Sequence, residues 1–198
     1  MKTFLSAPIC YGLMAIITLV SLCALKDQKL FFHLVLHPNG VIESKEYYRL
    51  ITGDLVHNDL IHFLINQIMM FTFGARLENH LLLTTNQGSL SFLIIYLSSC
   101  LSASLFTTTR HWREPDYSNA GTSGSIIGCM LGYVMVQPDI IAFYLPVVGG
   151  IKNIYGGLIC IIAYMIYQFR SDRANINHEV HFFGGLGGIL ATWILTGN

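Results

Sequence analysis

The sequence predicts an all-α fold, a polytopic membrane bundle of six transmembrane helices. Two observations carry this prediction. Of the 198 residues, 53% are hydrophobic and only 11% are charged, whereas a soluble domain carries about 25% charged residues. The apolar residues also gather into stretches close to the roughly 20 residues that a membrane-spanning helix needs.

Six apolar stretches are candidate spans. They are Pro8–Leu25, Leu60–Leu77, Leu90–Thr107, Thr122–Val136, Ile154–Phe169 and Phe182–Leu195. The first stretch follows Lys2, as in a signal peptide, but no small-x-small cleavage site comes after it, so we expect it to remain as a span. Residues 1–198 are therefore predicted to form a single transmembrane domain.

The connections between these stretches differ in length. Lys26–Asp59 is long and contains charges, aromatic residues and histidines, so we expect a structured loop in or on the membrane interface. Pro138–Gly150 contains an apolar run, but at about 1.5 Å per residue it cannot cross a hydrocarbon core of about 30 Å. We expect an interfacial connection there. With six spans, the second, fourth and sixth helices begin at the same membrane face.

Charge and motif spacing give no indication of a nucleic-acid partner or a metal site. The formal net charge is zero, so nothing indicates a nucleic-acid partner. The five cysteines occur singly in apolar stretches and lack metal-ligand spacing. In His178-Glu179-Val180-His181 the histidines are three residues apart rather than four, so the segment does not match the zinc-protease motif. We therefore expect no metal.

The fourth span opens with Gly121-Thr122-Ser123-Gly124 and is only about 15 residues, or about 22 Å, long. We expect its first end to be recessed, with Ser123 in a pocket that water can enter, as hydrolysis requires. The unpaired backbone N–H groups of a first helical turn could stabilise an oxyanion. Glycine and serine are also common in helix contacts within membranes, so this motif alone leaves both interpretations open.

The sixth span strengthens the catalytic interpretation. Each of the two helices carries glycines four residues apart: Gly124 and Gly128 in the fourth span, Gly184 and Gly188 in the sixth. Such glycine faces let two helix backbones approach closely. If they pack, Ser123 and His181 lie at the same end of the pair, where a neutral imidazole could activate the hydroxyl.

The second span supplies further polar residues. His62 and Asn66 are four residues apart and share a helical face. Both could donate hydrogen bonds to a developing oxyanion, although a structural hydrogen bond between helices is the alternative. His57 lies at the entrance of this helix and could stabilise the loop.

No acidic residue stands out as a third catalytic member. Asp54, Asp59 and Glu179 lie near the ends of predicted helices, where we expect them to be exposed. The residues therefore favour a serine–histidine dyad over a triad.

Several motifs in a fixed order resemble those of the rhomboid family of intramembrane serine proteases. They are Tyr48-Arg49, His57-x4-His62-x3-Asn66, Gly74-x3-Glu78, Gly121-Thr122-Ser123-Gly124 and His181-x2-Gly184-x3-Gly188. The resemblance extends from about Glu46 to Leu195. Each motif is weak alone, whereas their common order and separations are specific.

The resemblance implies Ser123 as nucleophile and His181 as base, with His62, Asn66 and the Ser123 backbone N–H at the oxyanion site. It implies structural roles for Arg49 and Glu78. From their positions in the predicted helices we also expect a further set of residues to be structural near the site: His57, Gly121, Gly124, Gly128, Gly184 and Gly188. It also implies single-span substrates in the lipid bilayer, cleaved near helix-breaking or small residues without a cofactor.

Three features depart from the family pattern. Tyr48 replaces a tryptophan, and Ile127 stands where an aromatic ring often packs against the catalytic histidine. The resemblance also implies a cytoplasmic N-terminus, whereas the distribution of lysine and arginine favours the opposite orientation.

The sequence thus predicts a multi-pass protein of a bacterial inner (plasma) membrane that hydrolyses peptide bonds in or near transmembrane segments. A catalytically silent, rhomboid-like protein that binds membrane proteins is the alternative. A small transporter that uses its histidines as proton relays is a more distant one.

Overall fold

Helices make up most of the chain in the computed structural model, which describes residues 6–170 and 178–197. Helix α1 spans Pro8–Lys26. The loop after it contains α2 (Gln28–Leu34), α3 (Pro38–Glu43), α4 (Arg49–Thr52) and a 3-10 turn, Gly53–Leu55. One continuous helix follows, composed of α5 (Leu60–Met69), a π-helical segment (Met70–Gly74) and α6 (Ala75–Thr84). The remaining helices are α7 (Gly88–His111), α8 (Ser123–Val136), α9 (Asn153–Arg170) and α10 (His178–Thr196).

The helices differ in their capacity to cross a membrane. Within the described residues, α1, the continuous helix Leu60–Thr84 and α7 are long and apolar enough to do so. Helix α8 and the first part of α9, Asn153–Ala163, are apolar but shorter. The predicted helical bundle is confirmed, and the count of six spans stays a prediction.

Helix α8 lies at the centre of the bundle, packed against both α7 and α10. The core around it is formed by large apolar side chains that are almost completely buried, among them Phe73, Leu77, Phe92, Ile95, Ile126 and Met130. Dense packing gives these side chains many dispersion contacts. Such contacts stabilise a helical bundle even when lipid surrounds it. Helix α9 packs on α8 from outside this core.

The backbones of α8 and α10 touch at glycines. A Cβ atom on Gly184 would collide with the backbone of Gly124, and one on Gly188 would collide with the backbone of Gly128. This is the close approach that the glycine spacing predicts. Because the two pairs occur in the same order along both helices, α8 and α10 run parallel and begin at the same end of the bundle.

Glu78 joins the N-terminal helix to the bundle. Its carboxylate is fully buried and accepts hydrogen bonds from the backbone N–H groups of Ile9 (3.1 Å) and Cys10 (2.7 Å) in the first turn of α1. The hydroxyl of Ser89 also donates to it, at 2.6 Å. A carboxylate from α6 therefore satisfies donors that α1 cannot satisfy itself.

Arg49 organises the long loop between α1 and α5. Its guanidinium donates to Glu46 Oε2 at 2.6 Å and to the carbonyl oxygens of Phe32 and Val35, both at 2.8 Å. The side chain is buried, so these bonds fix the start of α4 against the end of α2. The predicted loop Lys26–Asp59 is therefore structured.

The connection between α8 and α9 contains a feature that the sequence analysis does not foresee. Strands β1 (Ile141–Leu145) and β2 (Gly149–Lys152) form an antiparallel hairpin. Arg76 Nη1 donates to the carbonyl of Ala142 at 2.8 Å, which ties the hairpin to α6. Asn153 Nδ2 donates to the carbonyl of Gln137 at 2.9 Å and so satisfies an acceptor at the C-terminal end of α8.

We predict that Gly184→Ala lowers the stability of the protein by about 1 to 3 kcal/mol, because the new methyl group must separate α10 from α8. The measurement is the thermal unfolding midpoint of the purified protein in a mild detergent. Gly12→Ala in α1 is the matched control, since a Cβ there meets no atom of the described structure within 4 Å. Equal midpoints for the two variants would contradict the prediction.

Candidate active site

Ser123 is the first residue of α8, and the turn before it requires glycine. Gly121 has a φ of +114°, a region that side chains other than glycine rarely adopt. A Cβ on Gly121 would also lie 2.6 Å from Cε1 of His62. The turn thus brings the His62 ring directly against the chain two residues before Ser123.

The hydroxyl of Ser123 forms a hydrogen bond with the ring of His181. The distance from Oγ to Nε2 is 2.9 Å. Ser123 is 7% exposed, so bulk water does not compete strongly for its hydroxyl. A neutral imidazole that accepts this hydrogen bond at Nε2 can take the serine proton during an attack on a carbonyl carbon.

Asn66 carries an unsatisfied amide close to Ser123. The residue is 1% exposed, and neither Oδ1 nor Nδ2 has a hydrogen-bond partner among the described residues. Buried polar atoms without partners are rare and costly. The residues that line the small pocket here are Asn66, Met69, Ser123, Ile126, Ile127 and Ile161. The amide could therefore donate to a polar atom of a ligand in that pocket.

His57 connects α1 to the residue that precedes Ser123. Its Nδ1 lies 2.8 Å from the hydroxyl of Ser21 and its Nε2 lies 3.2 Å from the hydroxyl of Thr122. Ser21 donates its single hydroxyl hydrogen to the carbonyl of Leu55, at 2.7 Å. The ring therefore donates from Nδ1 to Ser21, and in the neutral form of this tautomer Nε2 accepts from the Thr122 hydroxyl.

The protonation of His57 follows from its surroundings. The ring is completely buried and its centroid lies 5.0 Å from that of His62. Burial, with a smaller contribution from His62 and an opposing one from Asp59, lowers the pKa of His57 to about 3. His57 is consequently uncharged at neutral pH.

The loop between α1 and α5 binds the chain segment on both sides of Ser123. Leu36 and Asn119 exchange backbone hydrogen bonds of 3.1 and 2.9 Å, and Gly121 N donates to Gly53 O at 3.1 Å. Beyond Ser123, the hydroxyl of Ser125 donates to Oδ2 of Asp54. The position of Ser123 therefore depends on the loop as well as on α10.

The expectation that Asp54 is exposed is wrong. Asp54 is only partly exposed, and its Oδ2 accepts a second hydrogen bond from the hydroxyl of Tyr96, at 3.1 Å. Burial raises its pKa to about 6, although the hydrogen bonds from Ser125, Tyr96 and Cys100 oppose that shift. Sequence reasoning missed this contact, since no motif connects a loop aspartate to Tyr96 and Ser125.

The other two acidic residues lie nearer the surface. Asp59 caps α5 by accepting the backbone N–H of His62 at 2.8 Å, as N-cap residues do. Glu179 Oε2 lies 3.3 Å from Nε2 of His111, and its Oε1 lies 3.8 Å from Nε of Arg110. These contacts join the first turn of α10 to the end of α7.

Comparisons with known proteins identify similar sequences of one family. A family model described as "Rhomboid domain" matches residues 44–198. Putative rhomboid protease YdcA of Bacillus subtilis (strain 168) is 29% identical over 154 residues, which cover 77% of this chain and 69% of that protein. Rhomboid protease GluP of the same organism is 28% identical over 153 residues, covering 77% and 27%. Rhomboid-like protease 3 of Toxoplasma gondii is 25% identical over 146 residues, covering 74% and 49%. The chain thus spans about two thirds of the first relative and half or less of the other two.

We predict that His57 makes the protein less stable as the pH falls. The folded pKa of about 3 lies below the ordinary value of about 6.5, so the unfolded chain binds more protons between these values. Stability from this group is fully present above pH 6.5 and is lost toward pH 3, by about 2 kcal/mol between pH 7 and pH 5 at about 1.4 kcal/mol per pH unit.

The test compares unfolding midpoints at pH 7 and pH 5 for the wild type and His57→Gln. The variant should be less stable at pH 7, because Ser21 and Thr122 lose partners, and its midpoint should change less between the two pH values. His33→Gln, at an exposed histidine, is the control and should keep the wild-type difference. The same pH difference in His57→Gln and wild type would show that His57 is not the responsible group.

Proposed function

The chain belongs to the rhomboid family, and we propose that it is an intramembrane serine endopeptidase in which Ser123 and His181 form the catalytic dyad. The observation that carries the proposal is the 2.9 Å hydrogen bond between Ser123 Oγ and His181 Nε2. Relatives named as rhomboid proteases support the assignment to serine proteases. The apolar helices and the family make this an integral membrane protein.

In the proposed mechanism, Ser123 Oγ attacks the carbonyl carbon of the scissile peptide bond while His181 Nε2 accepts the hydroxyl proton. The C–N bond of the tetrahedral intermediate then breaks, and His181 returns the proton to the departing amine. This leaves an ester between Ser123 and the N-terminal part of the substrate. Water, deprotonated by His181, attacks the ester and releases a carboxylic acid and free Ser123.

The negative oxygen of the intermediate requires hydrogen-bond donors that are already in place. Asn66 Nδ2 is a suitable donor, since the structure around it offers no partner among the described residues and it lines the same pocket as Ser123. The backbone N–H of Ser123, at the positive end of α8, is a second donor. We propose the His62 ring as a third donor, because it lies against Gly121 in the turn before Ser123.

The substrates that fit this site are other membrane proteins. The nucleophile belongs to a bundle of apolar helices, so a scissile bond must reach it from a segment in or close to the bilayer. We place the protein in a bacterial inner membrane as one transmembrane domain with six spans. We propose that it works without metal or cofactor, because serine, histidine and the oxyanion donors account for every proton and bond in the reaction.

We predict that Ser123→Ala and His181→Ala each abolish cleavage of a tagged single-span reporter protein, because each removes a group that no neighbour replaces. The measurement is the appearance of cleaved reporter in proteoliposomes that contain purified protein. Ser118→Ala, which removes a hydroxyl five residues from Ser123, is the control and should cleave at the wild-type rate.

A fluorophosphonate probe separates the protease from the silent binding protein. An active enzyme reacts with the probe at Ser123, and Ser123→Ala should not be labelled. Undiminished reporter cleavage by Ser123→Ala, or no Ser123-dependent labelling of the wild type, would refute the proposed function.

We predict that Asn66→Ala lowers kcat by about 100-fold and leaves KM nearly unchanged, because loss of one oxyanion donor affects the transition state more than the bound substrate. Steady-state cleavage of the reporter provides both constants. The unfolding midpoint should not fall, since Asn66 has no hydrogen bond to lose within the described structure. A rise in KM with unchanged kcat would assign Asn66 to substrate binding instead.

A further inference from the structure

The carboxyl group of Asp54 binds the first turn of α8 on the side opposite Ser123. Successive residues of an α-helix are rotated by about 100°, so Ser125 points to the opposite side of α8 from Ser123. Ser123 meets His181 on α10, whereas Ser125 is completely buried and donates its hydroxyl to Oδ2 of Asp54. The two serines therefore attach the same turn to two different parts of the protein.

A hydrogen bond from α7 also fixes the Asp54 carboxyl group. The hydroxyl of Tyr96, on α7, donates to the same Oδ2 atom at 3.1 Å, and Tyr96 is 3% exposed. Gly53, the preceding residue, accepts the backbone N–H of Gly121 at 3.1 Å. The carboxyl thus joins the loop, α7 and α8 at one oxygen atom.

We propose that Asp54 is a positioning residue for the nucleophile, holding the first turn of α8 through Ser125 so that Ser123 stays in hydrogen-bond contact with His181. This inference rests on the proposed function and adds a residue to it. Nothing in the motifs that indicate the dyad includes Asp54, Tyr96 or Ser125.

Position 54 requires a side-chain oxygen that accepts hydrogen bonds from Ser125 and Tyr96. Two hydroxyl hydrogens point at Oδ2, so that atom carries no proton, and the same geometry is available to the amide oxygen of asparagine. Alanine would leave the hydroxyls of Ser125 and Tyr96 buried without a partner, and they would reorient or admit water. Catalysis depends on the placement of reacting groups to within a fraction of an ångström, so such a shift lowers kcat.

The test measures kcat and KM for reporter cleavage by the full chain in proteoliposomes, and the rate of Ser123 labelling by a fluorophosphonate. Asp54→Ala should lower kcat and the labelling rate at least 20-fold with KM within about twofold of wild type. Asp54→Asn should retain both rates within about fivefold. Asp116→Asn, at an exposed acid, is the control and should match wild type.

Variants of the partners separate positioning from general loss of structure. Ser125→Ala removes a single buried oxygen and should lower kcat as Asp54→Ala does, whereas Ser125→Thr, which keeps the hydroxyl, should restore most of it. Asp54→Ala combined with Ser125→Ala should be no slower than the slower single variant, because both remove one contact. Multiplied effects in the double variant would overturn the proposal.

Three other results would also overturn it: kcat of Asp54→Ala within twofold of wild type, equal losses in Asp54→Ala and Asp54→Asn, or a rise in KM alone. Amide hydrogen exchange of residues 121–126 tests independently whether Asp54 holds this turn. Asp54→Ala should speed exchange there at least tenfold, and Asp116→Asn should not. If the wild type neither cleaves nor labels, the proposed function fails, and the exchange rates still decide whether Asp54 holds this turn.

Discussion

The contact between the backbones of α8 and α10 is the constraint on which the arrangement of the site depends. Gly124 and Gly128 lie directly against Gly184 and Gly188, so the helix axes are closer than any side chain would allow. At this separation, a serine at the start of one helix and a histidine at the start of the other meet at 2.9 Å. The close approach of the two helices therefore brings these side chains within hydrogen-bond distance.

A second constraint is that polar groups in an apolar bundle need partners. The loop between α1 and α5 meets this need for the residues that flank Ser123: Thr122 pairs with His57, Gly121 with Gly53 and Ser125 with Asp54. Each pair also fixes geometry, because a buried hydrogen bond is costly to break. Asn66 differs, since its amide lacks a partner among the described residues. An unsatisfied buried amide beside Ser123 could donate to a ligand, and the surrounding fold compensates for its energetic cost.

Burial acts on the pKa values of two titratable groups of the loop, His57 and Asp54, in opposite directions. His57 is kept neutral by burial, and its neutral tautomer gives a donor to Ser21 and an acceptor to Thr122. The pKa of Asp54 responds to two opposing effects: burial raises it by favouring the protonated form, and the hydroxyl donors lower it by favouring the carboxylate. His57 carries no charge at neutral pH, and both groups supply directional hydrogen bonds to residues around Ser123. Polar side chains of the loop therefore hold the residues next to Ser123 through hydrogen bonds.

The sequence by itself determined the helical membrane class, the family motifs and the glycine faces of the two helices, because apolar length and a spacing of four residues are local properties that one helix expresses alone. The structure then showed that the two faces pack against each other. It also indicated the residues Ser123, His181, His62 and Asn66 as a group. Only the tertiary structure decided that Asp54 lies under Ser125, that His57 links Ser21 to Thr122, and that residues 141–152 form a hairpin. Such contacts join positions up to 71 residues apart. They depend on how the loop folds back over the bundle, and no short-range pattern in the sequence records that path.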